Sequence, residues 1–257
     1  MKNRPAYLAA FPVLTACLLL LVLVLYVRKT SLQPVTQAAA PVDRHFALAQ
    51  EHYRTHNYDL AIQEYQASLK DNSDNFYAHY NLGQLYSEQN RPTEAIAEYQ
   101  QSIKLKGDYW QAHLALGVIY QRNNQLDQAI EEYSQVTKIN PNYALAQYDL
   151  GSAYYQKGLP DKATAAYERA IELDPAFADA HYNLGYMYAH HSKLFEKALE
   201  QFQKVTELNP KYTKAFYEIG LLYESKGSRA QARDAWAKAL AIDPNYQPAK
   251  NKLASPK

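Results

Sequence analysis

From residue 42 onward, apolar residues recur in pairs of short segments with helical spacing. Ala112, Leu116, Ile119 and Tyr120 share one helix face, and Ala129, Ile130, Tyr133 and Val136 share the next, so the pattern predicts a helical hairpin. The pattern then repeats. NLGQLY (81–86), ALGVIY (115–120), DLGSAY (149–154), NLGYMY (183–188) and EIGLLY (218–223) align, with Gly83, Gly117, Gly151 and Gly185 each 34 residues apart and Gly220 35 further on. Twelve residues after most of these glycines stands an alanine (Ala95, Ala129, Ala163, Ala232). Four residues later comes an aromatic (Tyr99, Tyr133, Tyr167, Trp236), and the fifth unit has one extra residue before Ala198 and Phe202. Pro141, Pro175, Pro210 and Pro244 then stop each second helix, because proline disfavours helical geometry in the residue before it.

Upstream the pattern is different. Ala6 to Val27 form a run of 22 residues without a charge, bounded by Lys2 and Arg4 on one side and by Arg28 and Lys29 on the other. As a helix the run spans roughly 33 Å, enough for a hydrocarbon core of about 30 Å. It exceeds the about 7 to 15 apolar residues of a cleaved signal, so it reads as a transmembrane helix, 6–27, after a basic tail, 1–5. Leu14-Thr15-Ala16-Cys17 matches the pattern at which bacterial lipoproteins are cut and acylated. Cleavage there would leave LLLLVLVLYV at the mature N-terminus, where a lipoprotein would turn polar. Residues 28–41 are polar and proline-bearing, and read as a short tether.

The repeated glycine, tyrosine, alanine, aromatic and proline resemble the tetratricopeptide repeat, with its period of 34 and its L-G-x2-Y, A-x3-F and P signature. Six units fit: 42–75, 76–109, 110–143, 144–177, 178–212 and 213–246. The first departs most, with Ala49 for the glycine, His52 for the tyrosine and Ser73 for the proline. The resemblance implies an all-α fold, a right-handed α-solenoid of six helical hairpins preceded here by the transmembrane helix. Stacking of neighbours supplies its stability. Residues 247–257 begin like a seventh unit and stop, covering part of the last hairpin near Trp236. An incompletely covered end suggests self-association through the C-terminal end.

Composition adds two points. Lys plus Arg (27) nearly equals Asp plus Glu (26), so the chain lacks the basic excess that draws proteins to nucleic acid. Twenty-four tyrosines call for a cause. Thirteen fall in repeat slots that read as packing, Tyr7 and Tyr26 lie near the ends of the apolar run, and Tyr58 starts a second helix. In the family that the chain resembles, the second, fifth, ninth and twelfth positions of the first helix line the concave groove. The remaining eight tyrosines occupy those positions: Tyr53, Tyr77, Tyr80, Tyr148, Tyr155, Tyr182, Tyr186 and Tyr217, joined by Phe46 and Leu114. Such a face suits a protein or peptide ligand, since the rings give area and the hydroxyls adaptable hydrogen bonds. The family's usual preference for tyrosine at the fifth position offers a plainer account.

Other chemistry is weak. A carboxylate clamp for chaperone tails would need five matching groups in three consecutive repeats. Asn183 and Lys214 supply two, while Tyr148, Ser152 and Glu218 occupy the rest. His45, His79, His113 and His181 share the fourth position of their units and read as packing on successive hairpins. His52 and His56 lack the glutamate of a zinc-protease motif. His190 and His191 lie where the extra residue is expected to lengthen a loop. Nothing resembles a nucleophile with its base, a phosphate-binding loop or a paired carboxylate site, so neither an enzyme nor a cofactor is expected. The reading is a single-pass scaffold, held to the lipid bilayer by residues 6–27, that recruits a protein partner. A lipoprotein-type assembly factor for a secretin or pilus complex, or a non-catalytic accessory presenting substrate to an enzyme, are the alternatives. The short basic N-tail before the first apolar segment favours a bacterial inner membrane with the repeats on the periplasmic side.

Overall fold

The computed structural model describes residues 43–254. The tail 1–5, the transmembrane helix 6–27 with Cys17, and the tether 28–41 lie outside the described residues. Among the described residues no helix is long and apolar enough to cross a membrane. They form thirteen α-helices and no strand, which agrees with the all-α expectation. The helices pair as α1 (Arg44–Arg54) with α2 (Tyr58–Asp71), α3 (Phe76–Glu88) with α4 (Pro92–Leu105), and α5 (Trp110–Arg122) with α6 (Leu126–Ile139). Then follow α7 (Ala144–Gln156) with α8 (Pro160–Leu173), α9 (Ala178–Met187) with α10 (Phe195–Leu208), and α11 (Thr213–Ser225) with α12 (Arg229–Ile242). The last helix is α13 (Gln247–Ala254).

The described residues fall into two compact units, 43–78 and 79–254. In the first, α1 packs on α2, burying Ala49, Ala61, Ile62 and Tyr65. Asp43 ties this hairpin at its base, where one carboxylate oxygen caps α1 through the Phe46 N–H at 2.9 Å and the other accepts from the Ser68 hydroxyl. An N-cap carboxylate satisfies a backbone donor that the helix cannot. In the second unit consecutive helices from α4 to α13 pack on one another, the one-dimensional stacking of a solenoid.

The repeated glycine owes its place to a ring. The structure lays the second-helix aromatic onto the glycine itself. A Cβ on Gly117 would meet the Tyr133 ring at 2.7 Å, one on Gly151 the Tyr167 ring at 2.8 Å, and one on Gly220 the Trp236 indole at 2.2 Å. Real Cβ contacts do not come this near, so any side chain here evicts the ring. Tyr133 and Phe202 are fully buried as a result.

Between first and second helices one residue takes a left-handed conformation: His56, Asn90, Asn124, Gly158, Lys193 and Gly227. The following N–H reaches back to a carbonyl of the first helix, as Gln125 to Tyr120 at 2.8 Å and Leu159 to Tyr154 at 2.9 Å. This closes the helix with a Schellman-type bond. In the fifth repeat the extra residue does not lengthen a loop. The helix widens into a π-turn, Tyr188–Ser192, and Leu194 then donates to Tyr188 at 2.8 Å, so that the same closure spans one residue more. Keeping the residue helical satisfies its backbone groups internally.

Candidate functional site

The fourth-position histidines form polar ties rather than plain packing. His45, His79 and His113 each place Nδ1 2.6 Å from a second-helix glutamate of the same hairpin, Glu64, Glu98 and Glu132. His181 meets Gln201 at 2.7 Å. The Nε2 of His113 also lies 3.1 Å from the Gly107 carbonyl. With acceptors on both ring nitrogens, His113 satisfies both by carrying two protons. Burial pulls its pKa down, but the Glu132 hydrogen bond, the Gly107 carbonyl and the charge of Glu132 outweigh that and raise it above the ordinary value. The partner was legible: the units with Gln147 or Phe216 at the fourth position have Ala166 or Ala235 where the first three carry glutamate and the fifth Gln201. Because the pair spans 19 residues across a hairpin, no helical periodicity reveals it.

The face named for partner binding is divided between packing and surface. In the first unit Phe46 meets Tyr65 edge-on at 5.6 Å, Tyr53 lies 5.8 Å from Tyr58, and Tyr77 rests on Phe76 at 3.9 Å with its side exposed. In the second unit Tyr80, Leu114 and Tyr182 are buried. Tyr80 fits between Tyr99 and Tyr109, at 5.7 and 5.1 Å, and Tyr182 between Phe202 and Tyr212, at 5.6 and 5.1 Å. Tyr148 does the same with Tyr167 and Phe177. Fifth-position rings therefore hold each repeat together, touching their own second helix or the last residue of the unit. Tyr217 reaches Tyr246 at 5.6 Å in this way, yet it is half-buried, as are Tyr155 and Tyr186. These three and Tyr148 are the rings of this set that keep surface in the second unit.

Two carboxyls sit on the same helices. Asp149 is buried, one of its oxygens has no hydrogen-bond partner, and desolvation pushes its pKa up to about 8. Its neutral form carries the proton that an apolar site favours. Asp179 accepts from the Tyr212 hydroxyl at 2.8 Å. Near the π-turn, Tyr155 stands nearly perpendicular to Tyr186 at 6.0 Å and to His191 at 5.8 Å. His190 lies over Tyr186 at 4.2 Å and points Nε2 toward Glu218 at 3.4 Å. Sequence reasoning placed the tyrosines at this face, but it assigned no role to Glu218.

The family described as "Tetratricopeptide repeat" matches residues 46–109 and 194–247, and that described as "TPR repeat" matches 122–158 and 161–191. No curated protein matches the chain in sequence. Among solved structures, MamA is similar at 30% identity and a TM-score of 0.61, the match covering 71% of this chain and 98% of MamA. YrrB, described as a TPR protein with an unusual peptide-binding site, is similar at 24% identity and 0.64, covering 73% and 96%. PilF of Pseudomonas aeruginosa shares the fold at 13% identity and 0.68, covering 82% and 96%.

Proposed function

We propose, from the premise that the chain belongs to the tetratricopeptide repeat family, that it is a membrane-anchored scaffold recruiting a protein or peptide partner along the first-helix face. The observation that carries this reading is the set of rings kept at the surface of that face: Tyr148, Tyr155, Tyr186 and Tyr217 in the second unit, Tyr53 and Tyr77 in the first. Aromatic side chains with a polar end suit contact with a partner at small entropic cost. Binding is the activity proposed, because exposed aromatic area suits contact with a partner.

The uncharged run Ala6 to Val27, flanked by Lys2, Arg4, Arg28 and Lys29, supports an anchor in a bacterial inner membrane with the repeats on the periplasmic side. Photo-crosslinking from position 155 or 217 of the full chain in its native membrane tests recruitment. A discrete crosslinked protein, lost in the Tyr217→Ala chain, is expected; crosslinks to lipid alone would sink the reading. A phosphatase fused to the C-terminus should be active, as it is outside the cytoplasm, and an inactive, stable fusion reverses the orientation. Cys17→Ala should leave attachment intact, whereas mass-spectrometric detection of acylated Cys17 would replace the helical anchor with a lipid one.

A further inference from the structure

Glu218 occupies the sixth position of α11 and is 9% exposed. Among the described residues its carboxylate makes one polar contact, with His190 at 3.4 Å. That is at the outer edge of a hydrogen bond. Other carboxylates nearby have firm cations: Glu224 pairs with Lys252 and Glu196 with Lys226. A largely buried carboxylate is costly unless a partner compensates it, and the 3.4 Å contact with His190 leaves Glu218 with room for a better one.

Around it the chain has assembled rings. The π-turn of the fifth repeat brings His190 and His191 against Tyr186 and Tyr155, and the latter two stand at 83° to one another. Burial, and then the Glu218 charge among other groups, hold the Tyr182 and Tyr246 hydroxyls above their usual pKa. Ring faces attract ammonium and guanidinium groups within about 6 Å of the centroid, and a carboxylate at the base adds charge and direction. In repeats four to six the one Lys or Arg at the second, fifth, ninth or twelfth position is Lys214. It forms no ion pair among the described residues.

We infer that Glu218, Tyr155, Tyr186 and the His190–His191 pair form a seat for a cationic side chain, a lysine or arginine carried by an extended peptide partner. His190 is the place-holder. It is exposed, stacked on the Tyr186 ring and weakly directed at Glu218, so an entering cation displaces it and takes both the ring face and the carboxylate. The inference rests on the groove reading above and deepens it by stating what the partner carries.

The test uses the full chain in nanodiscs and a random 12-residue peptide library displayed on phage. Enriched peptides should align on a single Lys or Arg column. For the best of them, Glu218→Gln in the protein and Lys→norleucine (or Arg→norleucine) in the peptide should each weaken binding about tenfold. Made together they should weaken it little further, since both remove one interaction. Circular dichroism and a melting curve show that the Glu218→Gln chain is folded, and the peptide substitution needs no such control. Peptides that are enriched and lost in Tyr217→Ala, yet show no Lys or Arg column or no coupling to Glu218, overturn the cationic seat while the groove reading stands. If no peptide is enriched, the groove reading falls and takes the seat with it.

Discussion

Gly117 lies beneath the Tyr133 ring so closely that one methyl group decides the local packing. Gly117→Ala should cost about 1–3 kcal/mol in urea unfolding. Gly107→Ala, whose Cβ would find its nearest neighbour at 3.8 Å, should cost almost nothing and serves as the control. Two titrating residues set a pH dependence of one sign. The raised pKa of His113 gives a contribution fully present below the unfolded value of about 6.5 and lost as pH climbs through the folded one. Asp149, pushed up to about 8, holds a proton in the fold that the unfolded chain releases near 4. Stability therefore falls as pH rises between those values. Denaturation midpoints should decline from pH 5 to 9. Asp149→Asn should flatten the curve and be the more stable chain at pH 9, and His113→Gln should lose most at low pH. An unchanged slope in both variants would contradict this account.

At the scale of elements, the repeat spacing made six hairpins legible, because glycine, alanine and aromatic recur at fixed distances. Their internal ties were less so. That Tyr133 covers Gly117 instead of standing beside it depends on ring orientation, which spacing does not encode. The extra residue between Gly185 and Ala198 could be seen but not shaped, since a longer loop and a widened helical turn consume it equally. The same holds for the partner face. Spacing assigned Tyr80, Leu114 and Tyr182 to it, and their burial in the fold gives them packing duties that spacing does not display. The π-turn ends at Lys193 with φ 54°, where most other turns of the chain use Asn or Gly. Left-handed backbone penalises a side chain with a Cβ. Lys193→Gly should therefore raise stability, by about 0.5–1 kcal/mol after the entropic loss in the unfolded chain is counted. Thermal unfolding measures it, and a lower melting temperature would mean that the Lys193 side chain contributes more than its backbone costs.

For the molecule as a whole, the C-terminal helix ends the stack of the second unit. Ala249 of α13 is fully buried, the Arg233 guanidinium donates to the Leu253 carbonyl at 3.2 Å, and the Lys252 ammonium lies 5.4 Å above the Trp236 ring. Removing residues 247–257 should expose that indole. In a Trp110→Phe background, where Trp236 is the sole tryptophan, its emission should shift to the red and the last hairpin should melt first. Sedimentation of residues 42–257 with and without α13 tests self-association through this end.

The ties inside the hairpins also govern how the protein answers to load. His45 and Glu64, His79 and Glu98, His113 and Glu132 are each 19 residues apart, so each of these three hairpins closes a short loop of its own whichever folds first. Within the second unit consecutive helices pack on one another, so its contacts are local along the chain. In an optical trap the chain should lengthen in a staircase of small extensions, one hairpin at a time, and recoil the same way. A partner hauling on the free end would meet a compliant spring rather than a rigid arm.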